Sequence, residues 1–310
     1  MKSLSLPAQG HLAMLAFSAL VAGSFSLGAR VANQIDPAAL TLVRFALAVA
    51  GMAAVAQIGP GFRRAHLAAP WRWGLLGGIY AIYFVLMFEG LKTASSVSTA
   101  AVFTLSPLLS AGFGWLLLRQ VTTPRMALAL AVGAAGALWV IFRADLTAFL
   151  RFEVGRGEAI YFLGCIVHAA LPAAMKLTNR GEPQLVATTL LLAGGFVTLL
   201  PWGLGPALHT DWSALGPLVW VTILYVAFIA SGATAFLLAF ASQRLPGAKV
   251  MAYTYLVPSW VIGWELALGG NPPPAMVLGG IGLTILALLM LLKDESIRPA
   301  PAQKAPPETG

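Results

Sequence analysis

The sequence has 310 residues, of which 59% are hydrophobic and 10% are charged, and its mean hydropathy is +0.83. A soluble domain must cover its exterior with polar side chains, so this composition excludes a soluble globular fold and indicates a membrane protein. The net charge of +8 does not indicate nucleic-acid binding, because the basic residues lie in short gaps between apolar stretches rather than on one face.

Ten apolar stretches are each close to the length that a helix needs to cross the hydrocarbon core of a membrane. They cover residues 12–29, 38–58, 74–93, 97–118, 126–141, 159–176, 185–202, 218–240, 250–268 and 275–292. Open strands would leave backbone groups unpaired in lipid, so the sequence predicts an all-α membrane protein with ten transmembrane helices. We expect the first stretch to be retained as a span and not cleaved as a signal peptide. We expect residues 293–310, rich in proline and charge, to form a disordered cytoplasmic tail.

The distribution of lysine and arginine predicts the orientation in the membrane. If residues 1–11 are cytoplasmic, thirteen of the nineteen basic residues fall on the cytoplasmic side, five fall on the opposite side, and Arg44 lies within a span. Cytoplasmic segments carry an excess of lysine and arginine. The sequence therefore predicts that both termini are cytoplasmic, in a bacterial-type inner (cell) membrane.

The two halves of the chain resemble one another. The pair Asp36-Pro37 before the second span recurs as Glu182-Pro183 before the seventh. Five spans in each half would place the second half in the membrane in the opposite sense, which is the inverted-repeat arrangement typical of alternating-access carriers. The alternative is an ancient duplication in a protein with another role. The predicted units are a first five-helix repeat at 12–143, an extracytoplasmic linker at 144–156 and a second five-helix repeat at 157–292.

Ionisable residues inside spans are candidates for function, because each costs about 2.5–3.5 kcal/mol to insert. Arg44 is a candidate to bind a carboxylate or phosphate. Glu89 and Glu265 are candidates to bind a cationic group or to carry a proton. Internal ion pairs, or side chains that reach the outer interface, are the alternatives for these three. His168 is a candidate ligand-contacting residue, with a packed helix-interface histidine as the alternative.

Aromatic residues and prolines supply further candidates. Four tyrosines are predicted to lie deep enough to line a cavity and to stack on a planar ligand: Tyr80, Tyr83, Tyr253 and Tyr255. Two prolines occupy equivalent positions in the fourth and ninth spans, Pro107 and Pro258. A proline removes one helical hydrogen bond, so each is predicted to mark a gate hinge or a static bend.

Other functional classes find little support in the residues. The sequence has no phosphate-binding glycine loop ending in lysine, no His-Glu-x-x-His and no metal-type cysteine spacing. We therefore expect no enzyme activity, no cofactor and no metal. The expected partners are a small-molecule substrate, the lipid bilayer and a coupled proton or ion, with the chain acting as a monomer or homodimer.

The order of these motifs resembles the EamA-type branch of the drug/metabolite transporter superfamily, over about residues 12–292. The matching features are Asp36-Pro37 leading to Arg44, the small residues at 94–101 followed by Pro107, the Gly157-Glu158 pair that opens the second half, and Pro258. The chain departs from the family where many members carry an acid at the ends of helices 4 and 9, because it has Gln120 and Asn271 there.

The resemblance implies a secondary transporter of a small metabolite. Export of an amino-acid-like or related compound is the first expectation that it raises. Import of a vitamin-like or nucleoside-like molecule is the alternative. The resemblance leaves the cargo unnamed, because the family carries chemically diverse compounds.

Overall fold

The computed structural model describes residues 5–142, 145–151, 154–242, 244–245 and 247–293. Every regular element in these ranges is helical, which confirms the predicted all-α class for the described part of the chain. The tail predicted at 293–310 lies outside the described residues apart from Lys293, and the predicted N-terminal segment and linker are described only in part.

Two of the long helices in the first half begin at a local capping signal. The side chain of Asp36 accepts hydrogen bonds from the backbone N–H groups of Ala38 and Ala39, and Thr123 caps Met126 in the same way. Pro37 and Pro124 occupy the first helical positions, where the missing N–H costs nothing. The helices are α1 (Leu6–Val31), α2 (Pro37–Ile58), α3 (Trp71–Gly90), α4 (Ser96–Phe103), α5 (Ser106–Leu118) and α6 (Pro124–Ile141), with a 3₁₀ turn at Arg64–Leu67.

The second half contains more interruptions. Its α-helices are α7 (Leu146–Leu150), α8 (Arg156–Ala169), α9 (Leu171–Thr178), α10 (Gln184–His209), α11 (Pro217–Leu224), α12 (Thr234–Ser242), α13 (Gly247–Ala252), α14 (Val257–Ala267) and α15 (Ala275–Lys293). A π-helical segment, Tyr225–Ala233, joins α11 to α12, and a 3₁₀ turn, Tyr253–Leu256, joins α13 to α14.

Within the described residues, nine helical stretches are long and apolar enough to cross a membrane, so the chain is a multi-pass membrane protein. The stretch predicted as the ninth span is not among the nine, because α13, the 3₁₀ turn and α14 divide it. The tenth crossing is therefore still a prediction.

Prolines mark three of the helix interruptions. Pro107 is the second residue of α5, Pro172 the second of α9 and Pro258 the second of α14. A proline is tolerated in the first turn of a helix because the N–H groups there have no helical partner. Each proline thus begins a new helix just after a break.

Close helix crossings depend on glycine. A Cβ on Gly77 of α3 would overlap the backbone N of Gly195 and the carbonyl O of Leu191, both on α10. A second crossing brings Gly136 of α6 against Gly280 of α15, where a Cβ on Gly136 would lie 2.6 Å from the carbonyl O of Gly280. Small residues at such crossings let two backbones approach and gain packing contacts that lipid tails cannot supply.

Contacts between helix termini define the two ends of the bundle. At the N-terminal end, where α1 begins, Arg72 at the start of α3 donates a hydrogen bond to the carbonyl O of Thr178 at the end of α9. At the opposite end, which we call the far end, Asn33 after α1 donates to the carbonyl O of Lys92 after α3. Therefore α1 and α3 run from the N-terminal end to the far end, and α8–α9 runs the other way.

A buried ion pair fastens the loop before α10 at the N-terminal end. Arg72 Nη2 lies 2.7 Å from Glu182 Oε1, with side-chain exposures of 2% and 5%. Burial alone would raise the pKa of the Glu182 carboxyl, but hydrogen bonds from Arg72 and from the backbone N–H of Arg180 outweigh it. The pKa therefore lies below its ordinary value of 4.5.

The Glu182→Gln variant is expected to lose about 1–3 kcal/mol of stability near neutral pH, because Arg72 loses its charged acceptor. Because the folded pKa is depressed, this contribution is complete well above pH 4.5 and is lost as the pH falls through the lower folded value. Thermal melts of the detergent-solubilised protein across this range will measure it. A wild-type advantage over Glu182→Gln that stays constant down to the lowest pH would contradict the assignment.

Candidate functional site

A cavity of about 340 Å³ lies inside the bundle, between α1, α3, α4, α8, α9, α10, the π-helical segment with α12, and α13 with the 3₁₀ turn that follows it. Gln184, an exposed residue in the first turn of α10, forms part of its wall. Because α10 begins at the N-terminal end, the cavity extends to that end of the bundle.

One wall of the cavity is aromatic. Tyr80, Tyr83 and Phe84 of α3 and His168 of α8 all line it. The rings of Tyr83 and His168 stack with centroids 4.2 Å apart, and the hydroxyl of Tyr83 shares a 2.8 Å hydrogen bond with that of Tyr161. This wall can pack against an apolar or planar ligand.

Arg44 of α2 lies directly behind the wall and has no exposed surface. Its Nε and Nη2 atoms donate to the hydroxyl O of Ser231 at 3.2 and 3.0 Å. Its guanidinium carbon lies 3.5 Å from the centre of the Phe84 ring. Its Nη1 atom is buried and has no hydrogen-bond partner within the part of the chain that the structure describes. Ser231 and Phe84 both line the cavity, so the two side chains that contact the guanidinium also form part of the cavity wall.

The π-helical segment sets the position of Ser231. The Ser231 hydroxyl donates to the carbonyl O of Val226, five residues earlier, at 2.8 Å. It also accepts the two hydrogen bonds from Arg44. A π-helical turn changes which side chains of a helix face inward, and such turns occur frequently at functional sites.

Polar contacts join α1, α4, α8 and α14 at the far end of the bundle. Arg30 at the end of α1 forms an ion pair with Glu265 of α14 at 3.0 Å, and the hydroxyl of Ser96 donates to the same carboxylate at 2.8 Å. The hydroxyl of Ser98 donates to Glu158 of α8 at 2.7 Å. The first turn of α4 is thus held between two carboxylates of the second half. We call these five residues the far-end cluster.

The structure brings together four of the predicted site residues and separates the others. Tyr80, Tyr83 and His168 line the cavity, and Arg44 contacts its wall. Glu89 instead forms a 2.6 Å ion pair with Lys92 at the far end.

The two tyrosines of the second half do not line the cavity. The hydroxyl of Tyr253 bonds to Nδ1 of His11 at 2.9 Å. Tyr255 is fully buried and packs against Gly133. The prolines Pro107 and Pro258 mark helix breaks outside the cavity wall.

Sequence reasoning missed Ser231 and the pairing of Arg30 with Glu265. Ser231 is one hydroxyl in an apolar stretch, and nothing nearby in the sequence marks it. Glu265 was identifiable as a charge within a span, but its partner is 235 positions away. Among the described residues, no three histidine, cysteine or acidic side chains converge as metal ligands do.

Comparisons with known proteins agree with this architecture. The EamA-like transporter family matches the chain twice, at residues 8–142 and 155–293. A relative from Bacillus subtilis (strain 168), described as "Uncharacterized transporter YyaM", is 24% identical over 281 residues, which cover 90% of this chain and 92% of the relative. A crystal structure with 18% identity superposes with a TM-score of 0.65 and covers 92% of this chain and 95% of its own, which supports the fold alone.

The two matched segments together span most of the chain, including the helices that build the cavity and both partners of the Arg30–Glu265 pair. The resemblance drawn from the sequence motifs is therefore confirmed. The chain is a membrane transporter that belongs to the EamA-like transporter family, within the drug/metabolite transporter superfamily.

Proposed function

We propose that this protein is a secondary transporter that moves a small metabolite, amino-acid-like or related, across the inner membrane by alternating access, in the direction of export. The observation that carries the proposal is the cavity of about 340 Å³ at the centre of the bundle. Its volume lies within the range of small-molecule sites, and a few polar groups interrupt its apolar wall.

The proposed topology is ten spans in two inverted five-helix repeats with both termini cytoplasmic. Two observations support it. The family matches each half separately, and α1 runs from the N-terminal end to the far end whereas its counterpart α8–α9 runs in the opposite direction. In this topology the broken stretch that contains α13 and α14 is the ninth crossing, and the N-terminal end faces the cytoplasm, where the basic residues are concentrated.

The proposed alternation assigns the arrangement described above to one of its two states. The cavity extends to the N-terminal end through Gln184, and in this proposal the contacts of the far-end cluster hold the opposite end closed. Release on the far side would require the contacts of that cluster to part and the N-terminal mouth to close. Discontinuous helices around a central site are a recurrent feature of carriers that work in this way.

A metabolite screen in proteoliposomes, run in both directions, tests the proposal. We expect saturable flux of at least one small metabolite with the wild-type protein. The Thr188→Trp variant, which fills the cavity wall on α10, should reduce that flux at least about tenfold, because substrate binding requires the free volume. The Val197→Trp variant places the same ring on a part of α10 whose side chain is 60% exposed, and should leave it unchanged. The absence of saturable flux, or equal loss in both variants, would refute the proposal.

A further inference from the structure

We propose that the cargo is an organic anion with one carboxylate on an apolar or aromatic body, and that Arg44 supplies its counter-charge. This inference rests on the proposed transport function and names the substrate class of the same cavity. Among the amino-acid-like and related compounds of the proposed function, it selects those that keep the carboxylate and lack the ammonium group, because it requires the negative group and gives no site to a positive one.

The first argument is the charge balance of the buried cations. Arg30, Arg72 and Lys92 each lie within 4.0 Å of a carboxylate oxygen. Arg44 is more deeply buried than any of the three, and its only hydrogen-bond acceptor among the described residues is the hydroxyl of Ser231. Buried charges in proteins are almost always paired, because an unpaired charge is strongly disfavoured in a medium of low dielectric constant. The missing partner of Arg44 is therefore expected to arrive with the ligand.

The second argument is the geometry around the guanidinium. The Nη1 atom carries two N–H groups that none of the described residues accepts. A carboxylate matches the planar fork of donors that arginine presents. The Ser231 hydroxyl and the Phe84 ring, which both contact the guanidinium, also line the cavity. Rotation of either side chain would let a ligand carboxylate replace the neutral acceptor with a charged one.

The third argument is the composition of the cavity wall. Among the described residues that line it, the polar ones carry hydroxyls, one amide and one imidazole, and none is acidic. An ammonium group in the cavity would lie near Arg44 without a carboxylate to offset it. The aromatic wall formed by Tyr80, Tyr83 and Phe84 accommodates the apolar part of the molecule. Together these features favour a carboxylate with an uncharged body.

Direct binding to the purified full-length protein tests the inference. The probes are hydrocinnamate, indoleacetate and hexanoate, each compared with its neutral amide and with an amine of the same body, and hydrocinnamate is also compared with phenylalanine. We expect at least one carboxylate to bind saturably by calorimetry, and its amide, its amine and phenylalanine each to bind at least about tenfold more weakly. Equal binding of a carboxylate and its amide, equal or tighter binding of phenylalanine, or no binding of any carboxylate would overturn the proposal.

The Arg44→Met variant separates ligand binding from a structural role. If Arg44 awaits a ligand, removal of its unpaired charge should leave the melting temperature of the ligand-free protein unchanged or raised, and should abolish the stabilisation by the carboxylate. A ligand-free protein that is strongly destabilised would assign Arg44 to packing and overturn the proposal. Saturable flux of only neutral or cationic metabolites in the liposome screen would overturn the anion assignment and leave the transport function standing.

Discussion

The Gly77→Ala variant is expected to lose about 3 kcal/mol of stability, since the added methyl group would be forced against backbone and not against movable side chains. A Cβ at this position overlaps the backbone N of Gly195 and the carbonyl O of Leu191. Neither atom can move without separating α3 from α10. Thermal unfolding of the purified protein in detergent, followed by the loss of monodisperse material, measures the change.

Gly78, the next residue of the same helix, is the matched control. A Cβ at Gly78 would lie 3.6 Å from the hydroxyl O of Thr198, at ordinary contact distance. The Gly78→Ala variant should therefore be neutral or slightly stabilising, because alanine favours the helix more than glycine does. Similar melting temperatures for the two variants would show that the α3–α10 crossing does not require a bare backbone at Gly77.

The same crossing positions the cavity. Tyr80 and Tyr83 follow Gly77 by one to two turns of α3, while Thr188 and Leu191 of α10 lie on the adjoining wall. Phe45 of α2 packs against Gly195, so α2 and its Arg44 depend on the same contact. A Gly77→Ala protein that still folds should therefore also bind ligand more weakly than the Gly78→Ala protein.

The sequence is sufficient to predict the features that local chemistry determines. Apolar length predicts the spans because lipid excludes unpaired backbone, and proline predicts breaks such as those before Pro107 and Pro258 because it cannot donate a hydrogen bond. The cost of inserting a charge singles out Arg44, and the structure places it beside the cavity wall.

Pairing between distant helices is what the sequence leaves open. Apolar periodicity shows which residues can be buried but not which helix lies opposite, so Ser231 could not be matched to Arg44, 187 positions away. The predicted depth in the membrane makes Glu89 and Glu265 equivalent candidates for a functional site. The structure separates them, since Glu89 pairs with Lys92 on its own segment and Glu265 pairs with Arg30 on another helix. The sequence also does not predict the π-helical segment, because that segment contains no proline to mark a change in the helix.

The Glu265→Gln variant has the second large expected effect, because Glu265 joins two helices whereas Glu89 does not. In the proposed alternation, this variant changes the side of the membrane to which the cavity opens. The Arg30–Glu265 pair joins α1 to α14 across the far end, so it stabilises only those states in which that end is closed. The Glu265→Gln variant removes the charge but keeps an acceptor for Arg30 and Ser96. After discounting for side-chain exposures of 26% and 18%, we estimate the loss at about 1.4 kcal/mol, which corresponds to about a tenfold shift toward far-end opening.

A single cysteine in the cavity can report this shift. Replacing Cys165 with alanine and Ser24, which lines the cavity, with cysteine gives a reporter for labelling by a membrane-impermeant maleimide. In oriented proteoliposomes, Glu265→Gln should raise the rate of labelling from the far side about tenfold, in line with the expected shift in population. It should lower the rate from the side of the N-terminal end only slightly, because the proposed alternation takes the state open at that end as the predominant one.

Glu89→Gln is the control, because it removes a carboxylate of the same charge from the same end of the bundle. Its ion pair with Lys92 spans three positions within one segment, so its loss does not release one helix from another and should leave both labelling rates unchanged. If both variants raised far-side labelling equally, surface charge would explain the effect. If neither did, the far-end cluster would not be what holds the cavity closed, and the packing of α1 against α4 and α14 would have to hold it. An increase confined to Glu265→Gln would assign the closing of the far end to the contact between the two halves of the chain.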